Sequence, residues 1–117
     1  MGETSIPPGN SAQPYREQRT VPRYSFIAHV DVVEPSSDTR IAGRVSEISR
    51  KGCYIDVLIT LPPGTLIELK VQRDLGTFAT KGKIIYAQEA MGMGVAFLEI
   101  QDEQLKTLDA WLAEISA

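Results

Sequence analysis

Apolar and polar residues alternate from Tyr24 onward. Tyr24, Phe26, Ala28, Val30 and Val32 share one face of an extended chain, and Ser25, His29 and Asp31 share the other. This period of two predicts a half-buried strand of about ten residues. The cluster Glu34-Pro35-Ser36-Ser37-Asp38 predicts a turn. Arg40 to Ser46, with Ile41, Gly43 and Val45 on one face, predicts the return strand of a hairpin. Glu47 to Gly52 reads as a tight polar connection closed by glycine, and Cys53 to Ile59, rich in β-branched residues, as a third strand. Leu61-Pro62-Pro63-Gly64-Thr65 is another turn. Alternation resumes over Leu66 to Val71, where Leu66, Glu68 and Lys70 oppose Ile67, Leu69 and Val71. Arg73-Asp74-Leu75-Gly76 closes a hairpin into a long strand, Thr77 to Gln88, in which Gly82 marks a bend or bulge. Gly92 to Leu98 is the final strand. Asp102 is placed as an N-cap and residues 103–116 as a helix, with an apolar stripe of Leu105, Leu108, Trp111, Leu112 and Ile115 at spacings of three and four.

Six or seven strands followed by one helix predict an all-β fold with a C-terminal helix. Turn signals every 8 to 12 residues or about that point to a small antiparallel barrel or sandwich. The helix is expected to lay its stripe over an open end or seam of the barrel. Residues 1–15 hold three prolines and two glycines and show no period, so they are read as a flexible N-terminal arm. The folded domain is placed at 16–117. Pro22 argues against a helix through the charged stretch Arg16 to Arg23.

Length and composition narrow the function. At 117 residues, with 43% hydrophobic and 23% charged side chains, the chain suits one packed domain. Net charge −3 and a pI near 5.1 argue against a protein that coats a nucleic-acid polymer. Such a barrel would also need exposed stacking aromatics. Tyr24, Phe26, Phe78, Phe97 and Trp111 fall mostly on core-facing positions, leaving Tyr15, Tyr54 and Tyr86 off them. The absence of an 18-residue apolar run argues against membrane insertion, and the N-terminus lacks the basic and apolar regions of a signal peptide, so a cytoplasmic location is expected. A single cysteine, Cys53, and a single histidine, His29, build neither an internal disulfide nor a zinc site. No metal or cofactor is expected. Cys53 lies in an apolar run and reads as a core residue rather than a nucleophile paired with His29. The chain is therefore not expected to be an enzyme.

Two polar segments stand out. Arg16, Arg19 and Arg23 form a basic strip in an acidic protein, just before the first strand. The arginine fork binds phosphate bidentately and stacks on flat rings. The second segment is Glu47-Ile48-Ser49-Arg50-Lys51-Gly52. Glu47 offers two acceptor oxygens, and Ser49 with the backbone before Gly52 offers small donors. Together they suit a ligand with anionic groups and a purine edge that donates hydrogen bonds. Taken alone, an arginine cluster of this kind is more usually a solvated face, and a Ser-x-x-Gly connection an ordinary turn.

In this order and separation the two segments resemble the PilZ domain, the bacterial receptor module for cyclic di-GMP. The family carries RxxxR and, about 20 to 30 residues later, (D/N)xSxxG at the start of a strand. Here the first is RTVPR, Arg19 to Arg23, and the second is EISRKG, Glu47 to Gly52. The resemblance extends through LPPGTLIELKV, Leu61 to Val71, the late strand GMGVAF, Gly92 to Phe97, and the terminal helix, covering about residues 16 to 116. One departure is Glu47, which stands where the family has Asp or Asn and places the carboxylate one methylene further out.

The resemblance implies a six-stranded antiparallel β-barrel, a split barrel with a C-terminal helix, that binds cyclic di-GMP reversibly and does no chemistry on it. Arg19 and Arg23 would clamp phosphate and guanine, Glu47 would accept from a guanine edge, Ser49 would bond phosphate or base, and Gly52 would shape the turn. Arg16 and Arg50 would add rim charge, and Lys51 reads as solvated. Ligand binding would order the arginine segment and signal to a downstream protein partner. The alternative is a degenerate PilZ domain that has lost the nucleotide and serves as a protein adaptor, which the Glu47 departure favours.

Overall fold

The computed structural model describes residues 21–116. The arm expected over residues 1–15, together with Arg16 and Arg19, lies outside the described residues. Six strands form in chain order: β1 (Tyr24–Glu34), β2 (Thr39–Ile48), β3 (Gly52–Asp56), β4 (Leu66–Arg73), β5 (Gly76–Gln88) and β6 (Gly92–Leu98). One helix, α1 (Asp102–Ser116), follows. All pairings are antiparallel, and the sheet closes on itself in the order β1-β2-β3-β6-β5-β4, with β4 returning to β1.

The alternation read along β1 is the packing observed. Phe26, Ala28, Val30 and Val32 are buried, and Ser25, Ile27, His29 and Asp31 face out. Ile67, Leu69 and Val71 of β4 meet them inside the barrel, with Val45, Ile55, Phe78, Ile84, Met93 and Val95 completing the core. The stripe of α1 lies over the barrel end where β1 begins and the β4–β5 hairpin turns. Trp111 packs on Phe26 and Phe78, at centroid distances of 5.4 and 6.4 Å, and Leu108 is fully enclosed. Gly76 makes room for this docking, because a Cβ there would stand 3.2 Å from the Trp111 ring. Arg73 extends over the Phe26 ring at 5.1 Å and reaches the Glu114 carboxylate on α1, joining helix and barrel a second time.

Several element boundaries differ from the sequence expectation, among them the end of β3, the end of β2 and the start of α1. The third strand was expected to run to Ile59 but ends at Asp56. Its partner β6 begins at Gly92, opposite Asp56, so no ladder remains beyond it. Val57 still donates its N–H to the Met91 carbonyl at 3.1 Å, whereas Leu58 and Ile59 are exposed. Glu47 and Ile48, placed in the connection by sequence, belong to β2. The helix starts one residue early: the Gln101 carbonyl accepts the N–H of Leu105 at 2.8 Å, so Asp102 sits in the first turn, where its negative charge favours the helix N-terminus.

Candidate ligand-binding site

The β2–β3 connection is three residues long, Ser49-Arg50-Lys51, and the Ser49 hydroxyl organises it. Ser49 Oγ accepts the N–H groups of Lys51 and Gly52 at 3.1 and 3.2 Å, and the Ser49 N–H donates to the Gly52 carbonyl at 2.8 Å. Ser49 is buried, so its hydroxyl serves the turn before any ligand. Gly52 answers a different constraint. β6 passes so close that a Cβ on Gly52 would lie 2.1 Å from the Val95 carbonyl oxygen. The Phe97 N–H donates to the Lys51 carbonyl at 2.8 Å and ties the turn to β6. The Ser-x-x-Gly spacing thus supplies a hydroxyl that holds the turn and a residue without a side chain where β6 crosses.

Bulges decide which side chains surround this turn. Between Val45 and Glu47 the β2–β3 register shifts: Val45 pairs with Ile55, and Glu47 with the adjacent Tyr54. Two residues of β2 oppose one of β3, which inverts the alternation of faces. Strict period two would send Glu47 inward after Val45. The bulge turns Glu47 outward and Ile48 into the core. A second shift, between Ile84 and Tyr86 against Val95 and Gly94, does the same on β5 and brings Tyr86 out after the buried Ile84. The outer face consequently carries one cross-strand row in register: Ser25, Glu47, Tyr54, Gly94 and Tyr86.

A cleft of about 230 Å³ opens at this row. Arg23 and Glu47 meet at its mouth with a nitrogen–oxygen distance of 3.5 Å, each side chain still half exposed. Ser49, Lys51 and Gly52 line it from the turn, and Tyr54, Tyr86, Gly94 and Ala96 from β3, β5 and β6. The Tyr54 hydroxyl donates to Gln88 Oε1 at 2.6 Å. Partial burial, and secondarily the Asp56 carboxylate, push the Tyr54 phenol above its ordinary pKa. Asp56 itself is held by Arg44 and Ser46, each at 3.1 Å.

Of the residues singled out by sequence, the structure brings together Arg23, Glu47, Ser49 and Gly52. It directs Arg50 elsewhere: its Nε and second guanidinium nitrogen reach Asp109 on α1 at 3.1 and 3.4 Å, and it does not line the cleft. Lys51, read as solvated, is exposed but lies on the cleft wall. Tyr54, Tyr86 and Gly94 were not assigned to the site. Their one signal in the sequence was that both tyrosines fell outside the core pattern. Cys53 and His29 are on opposite sides of the barrel wall. Cys53 is buried and its thiol pushed up to about 12 by desolvation, while His29 faces out and pairs with Asp31 at 3.0 Å.

A larger groove of about 650 Å³ crosses β2, β1, β4 and β5 on another side. Its lining charges balance in number, with Asp31, Glu68 and Glu99 against Arg40, Lys70 and Lys81. Among the described residues no group of three or more His, Cys, Asp or Glu is placed to hold a metal, and no helix is long and apolar enough to cross a membrane.

The described residues thus form a closed six-stranded antiparallel barrel with a C-terminal helix over one end and an Arg–Glu pair beside a Ser-x-x-Gly turn. The chain belongs to the PilZ domain family, whose sequence profile matches residues 16–114. Solved structures share the fold at low identity. The PilZ domain of YcgR from Escherichia coli, determined with c-di-GMP, is 13% identical with a TM-score of 0.71, over 85% of this chain and 92% of that one. The PilZ domain of CeSA from a cellulose-synthesizing bacterium is 14% identical with a TM-score of 0.64, over 82% and 99%. The Bacillus subtilis inhibitor of motility MotI/DgrA is 14% identical with a TM-score of 0.69, over 82% of this chain, which spans half the length of that protein. No curated protein matches the sequence.

Proposed function

We propose that this chain is a receptor for cyclic di-GMP that acts by binding alone. The observation that carries the reading is the Arg23–Glu47 pair at the mouth of a cleft built on the Ser49–Gly52 turn. The guanidinium supplies planar donors for phosphate or for guanine O6 and N7, and the carboxylate supplies acceptors for guanine N1–H and N2–H₂. Arg23 and Glu47 pair with each other, so binding would exchange one ion pair for contacts of both with the ligand. Arg19 would join Arg23 from the preceding segment, with Arg16 as added rim charge. The ligand then draws the segment Arg16 to Arg23 against the barrel, and the composite surface is what a partner protein reads.

Calorimetric titration of the whole chain with cyclic di-GMP tests the reading, with trypsin cleavage after Arg19 and Arg23 followed in parallel. Binding near micromolar affinity with slowed cleavage supports it, because ordering chain consumes part of the contact energy. No heat at millimolar ligand selects the protein-adaptor alternative, for which the extra methylene of Glu47 would be the cause.

A further inference from the structure

The tyrosines on the outer row have a shared geometry that the two motifs do not explain. The Tyr54 and Tyr86 rings lie 6.1 Å apart with planes 31° from parallel, and Gly94 sits between them in register. A Cβ on Gly94 would stand 2.4 to 2.5 Å from carbons of the Tyr86 ring, and a Cβ on Gly92 would stand 2.5 Å from the Tyr54 hydroxyl oxygen. Two bare stretches of β6 backbone therefore let both rings lie down against the sheet. The β5 bulge is what brings Tyr86 out of the barrel, into the same cleft as Arg23 and Glu47. At about 230 Å³ that cleft is smaller than the roughly 300–1,000 Å³ of a pocket that engulfs a drug-sized ligand, so it seats part of one.

We infer that Tyr54 and Tyr86 form, across Gly92 and Gly94, an aromatic platform on which one guanine of cyclic di-GMP stacks. Its hydrogen-bonding edge then faces Glu47, the cross-strand neighbour of Tyr54, and a phosphate of the ligand's sugar–phosphate ring faces Arg23. Base–aromatic stacking is tolerant of base identity, so the platform supplies affinity while Glu47 supplies the choice of guanine. The inference rests on the reading of the site as a cyclic di-GMP receptor. Covering a strand glycine with an aromatic ring also stabilises a sheet. That role alone predicts lower stability on substitution and unchanged affinity of the folded protein.

The test is calorimetry with cyclic di-GMP on the parent, Tyr86→Leu, Tyr54→Leu and Tyr86→Phe, with proton NMR of the bound ligand. Each leucine variant is expected to weaken binding by about 5- to 150-fold, and Tyr86→Phe, which keeps the ring, to bind like the parent. The guanine H8 resonance should move upfield in the parent complex and show cross-peaks to tyrosine ring protons. If the leucine variants do not fold, those cross-peaks decide. A parent that binds while the leucine variants bind equally well, or whose H8 shows no tyrosine cross-peak, overturns the platform and leaves the receptor reading standing. A parent that does not bind overturns both.

Discussion

Arg50 and Asp109, 59 residues apart in the chain, are joined by a forked contact of 3.1 and 3.4 Å between the β2–β3 turn and the outer side of α1. The turn that shapes the candidate site is thereby tied to the helix that closes the barrel. Both side chains are about half exposed, so the pair contributes on the order of 0.2–1 kcal/mol to stability. Arg50→Ala should lower stability by no more than that and change cyclic di-GMP affinity by less than about threefold, or 0.6 kcal/mol, because Arg50 already serves Asp109. Denaturant melts and titration check this, and a tenfold loss of affinity would return Arg50 to the site.

Arg23 is expected to behave in the opposite way. A charge-assisted hydrogen bond contributes about 1.5–3 kcal/mol. Arg23→Ala should weaken cyclic di-GMP binding by about ten- to a hundredfold with little change in melting temperature, since its partner Glu47 is half exposed. Arg23→Lys should recover part of the loss, lacking the planar fork. Affinity unchanged in the alanine variant removes Arg23 from the site.

Glu47 tests whether the longer carboxylate is suited to the ligand. Glu47→Gln replaces one acceptor oxygen with a donor and should weaken binding. Glu47→Asp restores the family residue and should bind at least as tightly as the parent. A gain above about 1.4 kcal/mol, tenfold in affinity, would show that the parent site is partly degenerate.

Trp111 packs between Phe26 and Phe78 with 9% of its surface exposed, so Trp111→Ala should cost about 3–5 kcal/mol by chemical denaturation. A loss below about 1 kcal/mol would mean that α1 is not held by this contact.

Cys53 links stability to alkaline pH. Its folded pKa is pushed up to about 12 by burial, against an ordinary value of 9.0. The unfolded thiol ionises first as pH rises, so the unfolded state binds fewer protons and stability falls from about pH 9 upward. Denaturant melts at pH 8 and 10 should show a larger loss for the parent than for Cys53→Ala. At pH 8 the folded thiol should resist a disulfide reagent until the protein is unfolded. Rapid labelling of the folded protein would contradict its burial.

Much of this molecule is legible in one dimension. The alternation through Phe26, Val30 and Val32, the breaks at Pro35 and Pro62-Pro63, and the three–four spacing of Leu105, Leu108 and Trp111 set strands, turns and helix. Each depends on residues within a few positions of one another. The family motifs at Arg19–Arg23 and Glu47–Gly52 are equally local. Only the tertiary structure decided the end of β3, the face taken by Glu47 and Tyr86, and the meeting of Tyr54, Gly94 and Tyr86 in one row. Those outcomes follow from which strands pair and in which register. The β3–β6 neighbourhood joins segments separated by the whole β4–β5 hairpin. A bulge is a mismatch between two strands, and neither strand read alone located it: Gly82, read as the bend or bulge of β5, keeps its register opposite Ile67 and Phe97, while the shift falls between Ile84 and Tyr86, where one extra residue reverses the side chains beyond it.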